Sequence, residues 1–345
     1  MKKKLKIAVL IIIGAVLVLI GTVFFLNLYN DKKYGKMEPS ASVDVTDLSQ
    51  YPKELDGVAV ECVDAGAFQG FHLVPDEKKY SGVIICYGGS EGSPAFDIAE
   101  KYAEEGYETL AVFMFGMKNQ PETLSQIPLE QFEDVLNYVN DNIEDDEPVT
   151  IWAASKGSEY ALYLSTKYDE ISNLILVAPS AYSFSGFDFN SPGASWTCGG
   201  NEVPCVDIFK TPLSVTFTKM IIPMIVGAPV SYKDIYDAAL EADSQRAEKI
   251  IPVQDTDANI LLIVGKDDQM WDSYEMAETI KGLNSNVTIQ AYEDAGHVFR
   301  GNGVSNQSDM RIRLGGTEEG NKKAAEESEK AIDEFLGQYH NEKQE

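Results

Sequence analysis

From residue 82 onward the sequence switches repeatedly between two hydrophobic periods. Short runs rich in β-branched and aromatic residues, at 82–87, 107–115, 149–154, 173–178, 260–264 and 287–292, read as strands. Between and after them lie helical patterns at 97–105, 128–142, 156–167, 274–283 and about 318–339. In the second of these, Leu129, Phe132, Val135, Leu136 and Val139 recur at 3.6-residue spacing. Strands separated by helices are joined by crossovers, and crossovers give parallel pairing. The expected fold is therefore α/β, a mostly parallel sheet with helices on both faces. Segments 58–62 and 68–74 read as an antiparallel pair ahead of it. Residues of about 180–257 break the alternation and are expected as an insertion above the strand ends, where such sheets bind ligands. They read either as a lid over an apolar pocket or as an extra packing layer.

Three of the strand runs end in short polar islands. These are Ala153-Ala154-Ser155-Lys156-Gly157, Gly265-Lys266-Asp267-Asp268 and Ala295-Gly296-His297. A serine hydroxyl is a poor nucleophile at neutral pH. It needs an imidazole to take its proton and a carboxylate to hold that imidazole in one tautomer. The order Ser, Asp, His, each at a strand end, is that of the α/β-hydrolase fold. Ser155 is the expected nucleophile, between an apolar strand and a helix, with small residues at 153 and 157 to fit a tight elbow. His297 is the expected base and Asp268 its orienter, with Asp267 as rival. Gly88-Gly89-Ser90-Glu91-Gly92 also matches G-x-S-x-G, but it follows the strand before the first helix. There the fold places an oxyanion donor, so Gly89 and Ser90 are expected to act through their backbone beside the Lys156 N–H. His72 and His340 lie outside the islands, His340 in a charged tail.

The first 29 residues read as a membrane anchor. Lys2, Lys3, Lys4 and Lys6 precede an uncharged apolar run from 7 to 26, and twenty helical residues span about 30 Å, the thickness of a hydrocarbon core. The run is longer than the core of a cleaved signal sequence, and no small-x-small site follows it. The basic N-terminus favours the cytoplasmic side, although Lys32, Lys33 and Lys36 flank the other end. The rest of the protein is then expected outside the cytoplasm, with 30–55 as a tether and 56–345 as the catalytic domain.

Net charge is −27, but seven of the 28 basic residues and one of the 55 acidic residues fall within the first 36. The remainder holds 21 basic and 54 acidic residues. Such a surface repels nucleic acid, which is excluded as a partner. Of the four cysteines, Cys86 sits inside an apolar strand. Cys198 and Cys205 flank a Gly199-Gly200-Asn201 turn, which makes a disulfide between them plausible in an oxidising compartment. The cysteine and histidine spacings suggest no metal site and no cofactor.

In seven stretches the chain resembles the catalytic domain of the acyl-CoA thioester hydrolase and bile acid-CoA:amino acid N-acyltransferase family. These are Gly88 to Gly92, Leu124-Ser125-Gln126-Ile127-Pro128-Leu129-Glu130, Ala154 to Gly157, Ala178-Pro179-Ser180, Ser195-Trp196-Thr197, Gly265-Lys266-Asp267-Asp268-Gln269-Met270-Trp271 and Gly296-His297. The resemblance implies an α/β-hydrolase fold and puts Ser155, Asp268 and His297 at the triad positions. Serine stands where the conjugating members carry cysteine, which goes with thioester hydrolysis. The expectation is a serine hydrolase acting on an ester or thioester of an apolar acyl group. An acyltransferase to an amine or alcohol and a non-catalytic lipid- or partner-binding protein are the alternatives. The acyl carrier and the oligomeric state stay open.

Overall fold

Nine of the expected and newly visible strands join into one sheet. In the computed structural model, which describes residues 2–37, 44–188, 192–306 and 310–343, they are β1 (Glu54–Leu55), β2 (Val58–Ala65), β3 (Phe68–Pro75), β4 (Val83–Tyr87), β5 (Glu108–Val112), β6 (Val149–Ala154), β7 (Ile171–Val177), β8 (Asn259–Gly265) and β9 (Val287–Tyr292). The spatial order is β1-β2-β3-β5-β4-β6-β7-β8-β9. β1, β2 and β3 form an antiparallel edge, and β3 pairs antiparallel with β5. From β5 to β9 every pairing is parallel.

Side-chain alternation along the buried strands separates two cores. Ile85, Ile151, Leu174 and Leu262 face the helices Gln131–Asn142, Lys156–Ser165 and Ser273–Leu283. Their neighbours Ile84, Trp152, Ile175 and Ile263 face Phe96–Glu105 and Glu318–Tyr339. Both faces of the sheet are thus covered, as the alternation requires. Cys86 is fully buried among the second set.

Two expectations need correction. The segment 30–55 is not a plain tether. The N-terminal helix runs from Lys2 to Tyr34, and after residues 38–43, which lie outside the described residues, the chain is already on the domain. There Tyr51 packs against Phe71 and Phe96, with ring centres 4.9 and 5.4 Å apart. The Cys198–Cys205 disulfide is absent, and both thiols are free. The hairpin turns on Gly199 and Gly200 alone, so Cys198 faces Asn201 and Thr197 faces Glu202. Cys205 lies four residues beyond the partner of Cys198, too far along the strand direction to bridge. Its thiol is pushed up to about 11 by burial and then by the nearby Glu159 carboxylate.

Residues of the expected insertion add no strand to the nine-stranded sheet; within it, 189–191 lie outside the described residues. Its first part is core, with Phe184, Trp196 and Val206 all at 0% exposure. The helical stretch Leu213–Ile225 is the opposite, since none of its residues is buried. The N-terminal helix is long and apolar enough to cross a membrane.

Candidate active site

β6 ends at Ala154, and the next residue carries the chain into the helix Lys156–Ser165. Ser155 makes that reversal with φ +54° and ψ −122°, a strained conformation for any residue with a Cβ. The turn closes only because its neighbours are small. A Cβ on Gly157 would lie 2.1 Å from the Gly88 carbonyl oxygen, so the elbow and the loop after β4 touch backbone to backbone. Ser155 does not cap its helix. Its hydroxyl donates to His297 Nε2 at 2.8 Å.

His297 Nδ1 donates in turn to Asp268 Oδ2 at 2.8 Å, which fixes the tautomer that leaves Nε2 as acceptor. The histidine is held from three sides. Its backbone N–H donates to Leu314 O at 2.8 Å, the preceding Gly296 N–H donates to Asn321 Oδ1 at 2.8 Å, and the Trp271 ring stands edge-on to the imidazole at 5.1 Å. Asp268 Oδ1 accepts the Met270 N–H at 2.8 Å. Asp267 turns away; its oxygens accept from Gln269 Nε2 and the Gly316 N–H. Asp268 and His297 are almost fully buried and Ser155 is half-buried. Ser155, Asp268 and His297, 142 and 29 residues apart along the chain, thus meet at the carboxyl ends of β6, β8 and β9.

The loop after β4 corrects one expectation. The Gly89 N–H already donates to Glu91 Oε1 at 2.9 Å, and the same oxygen accepts from Ser93 Oγ at 2.8 Å. A donor so engaged does not serve an oxyanion while Glu91 holds it. The Lys156 N–H, in the first helical turn, has no intrahelical partner, and Ser90 is the next donor along the loop.

The Lys156 side chain was not anticipated. It is buried beneath the elbow, where Nζ lies 2.7 Å from Glu159 Oε2, donates to Phe184 O at 3.2 Å and stands over the Trp196 ring at 5.2 Å. Glu159 Oε1 accepts from Trp196 Nε1 at 2.7 Å and the Phe184 N–H at 3.1 Å. Burial pushes the Glu159 carboxyl up from its ordinary value and the Lys156 ammonium down, each opposed by the other's charge. This network ties the elbow to the insertion. One signal for it was in the sequence: Lys156 and Glu159, three apart, are the only charges between 156 and 165.

His72 and His340 serve the frame. His72 bridges Glu108 Oε1 at 2.9 Å and Tyr138 OH at 3.1 Å. His340 is buried, not in an exposed tail: Nδ1 donates to Ser81 O at 2.7 Å and Nε2 accepts from Thr150 Oγ1 at 2.8 Å. Among the described residues no group of three His, Cys, Asp or Glu side chains is placed to hold a metal ion.

Residues 127–342 match the family described as BAAT / Acyl-CoA thioester hydrolase C terminal. The chain belongs to that family. It is 26% identical over 248 residues to the human acyl-coenzyme A thioesterase 1, covering 70% of this chain and 54% of that protein. It is 25% identical over 252 residues to the mouse acyl-coenzyme A amino acid N-acyltransferase 1, again covering 70% and 54%. The chain therefore spans about half the length of these relatives. Among solved structures, an esterase of Pyrococcus furiosus, Pf2001, aligns with a TM-score of 0.52 at 13% identity, over 84% of this chain and 94% of that one. That likeness shows the α/β-hydrolase fold.

Proposed function

We propose that the protein is a membrane-anchored serine hydrolase that cleaves an ester or thioester of an apolar acyl group. The hydrogen-bonded line from Ser155 Oγ through the His297 ring to Asp268, with 2.8 Å at each step, carries the reading. Ser155 Oγ attacks the acyl carbon while its proton passes to His297 Nε2. The oxyanion accepts from the Lys156 N–H and, on the loop side, from the Ser90 N–H; donors of this kind are worth about 3 to 4 kcal/mol each. Collapse of the adduct expels a thiolate or alkoxide, which takes the proton from His297. Water then attacks the acyl-enzyme by the same route, and the carboxylic acid leaves. Relatives that include acyl-coenzyme A thioesterases support thioester chemistry. The N-terminal helix spans the bilayer once, with its leading lysines in the cytoplasm and the catalytic domain outside.

A fluorophosphonate probe on the purified full chain tests the nucleophile. Wild type is expected to be labelled and Ser155→Ala left unlabelled; an unlabelled wild type overturns the reading. Acyl-CoA, acyl-pantetheine and p-nitrophenyl esters offered side by side then define the leaving group.

A further inference from the structure

We propose that the apolar helix Leu213–Ile225 is a second membrane contact, lying in the headgroup–acyl boundary of one leaflet beside the exit of the N-terminal helix. The inference rests on reading that N-terminal helix as a bilayer span. Three observations carry it.

The first is exposure. Leu213, Phe217 and Ile225 are 86%, 55% and 52% exposed, and Ile221 lies between them at the same four-residue spacing. In a straight α-helix such a stripe drifts around the axis. The wider π-helical turn Phe217–Ile221 works against that drift and keeps the stripe on one side. An apolar helix with no buried residue faces something other than water.

The second is continuity with the span. Asn27 Nδ2 donates to Ile225 O at 3.0 Å and Asn30 Nδ2 to Val226 O at 2.8 Å. Asn27 is the first residue after the apolar run 7–26, so the apolar helix meets the N-terminal helix at the depth where hydrocarbon gives way to headgroups. The docking is fixed further in by an ion pair, Arg311 Nη2 to Asp31 Oδ1 at 2.7 Å.

The third is charge. Beyond residue 36 the chain holds 54 acidic and 21 basic residues, yet around this contact basic groups outnumber the two carboxylates that pair with them, Asp31 and Asp234. Lys32, Lys33 and Lys36 lie exposed at the end of the N-terminal helix, with Arg313 near Lys33, and the half-exposed Lys219 of the apolar helix pairs with Asp234 at 3.3 Å. Lysine and arginine at that depth reach the phosphates while their stems stay in the apolar layer. A second copy of this chain would meet the same stripe without any need for the basic rim.

The test uses tryptophan emission from the full chain in phosphatidylcholine vesicles with and without brominated acyl chains. The native Trp152, Trp196 and Trp271 are all buried and give a constant background. Phe217→Trp is compared with Val16→Trp in the span and with Leu283→Trp, 39% exposed at the far end of the sheet. The expected result is loss of most of the added emission for Phe217→Trp with bromines near the headgroups, loss for Val16→Trp with bromines deep in the chain, and none for Leu283→Trp. Quenching of Val16→Trp with Phe217→Trp behaving like Leu283→Trp overturns the inference and leaves the span standing. A blue-shifted but unquenched Phe217→Trp also overturns it, in favour of a protein partner. No quenching at position 16 removes the span, and this inference with it.

Discussion

Ser155, His297 and Asp268 form a line in which each group sets the state of the next. Asp268→Asn keeps the size of the side chain but can present an N–H to His297 Nδ1, which then turns the wrong tautomer toward the serine. Turnover is expected to fall by roughly 10⁴-fold with little change in thermal stability, measured as kcat beside a melting curve. Below the elbow, Glu159→Gln leaves the Lys156 ammonium buried without its counter-charge. A loss of about 3 to 5 kcal/mol is expected, read from the urea midpoint. In the proposed mechanism Lys156 also offers the oxyanion N–H, which makes Glu159 a positioning residue, and kcat is expected to fall with KM little changed among molecules that remain folded. That Ser155, Asp268 and His297 meet was legible in the sequence because each follows an apolar run. Glu159 and Trp196 were not legible in their roles, since the Lys156–Glu159 pair is local but the groups that bury it, Phe184 and Trp196, lie far along the chain and neither breaks the local pattern.

The strand ends meet only where glycine allows backbone to touch backbone. Gly157→Ala would drive a Cβ to 2.1 Å from the Gly88 carbonyl oxygen, with nothing flexible there to yield. The expected outcome is a displaced loop after β4 and loss of fluorophosphonate labelling even where circular dichroism reports a folded sheet. The parallel sheet was readable from the sequence because buried strands and amphipathic helices have different periods. The insertion was less so. Phe184, Trp196 and Val206 close the core beside the elbow, whereas no residue of Leu213–Ile225 is buried. Both halves are apolar, and composition does not say whether an apolar segment faces protein or lipid. The hairpin register was similarly hidden, because a two-residue turn and a longer one carry the same glycines.

Across the whole molecule, the last described residues close the fold. His340 fits its cage only when neutral: Nδ1–H donates to Ser81 O, and Nε2 accepts from Thr150, whose hydroxyl oxygen already accepts from Asn173. Burial holds its imidazole below the ordinary value. The unfolded chain therefore binds a proton more readily than the folded one. The stability contribution is complete above about pH 6.5 and is lost as pH falls from there toward the lower folded value. Urea midpoints at pH 7.5 and 5.5 should separate for wild type and draw together for His340→Gln, which starts from a lower midpoint.

The same scale brings in the uneven distribution of charge, basic around the N-terminal helix and heavily acidic over the rest. In the proposed reaction hydrolysis makes a carboxylate where there was none, inside a field that disfavours anions. The carboxylate product of the proposed reaction is therefore expected to be repelled by the body of the protein itself. That repulsion weakens as added salt shortens the Debye length, so inhibition by the carboxylate product is expected to tighten with ionic strength, against the usual expectation for a bound anion, as measured by product inhibition at low and high salt.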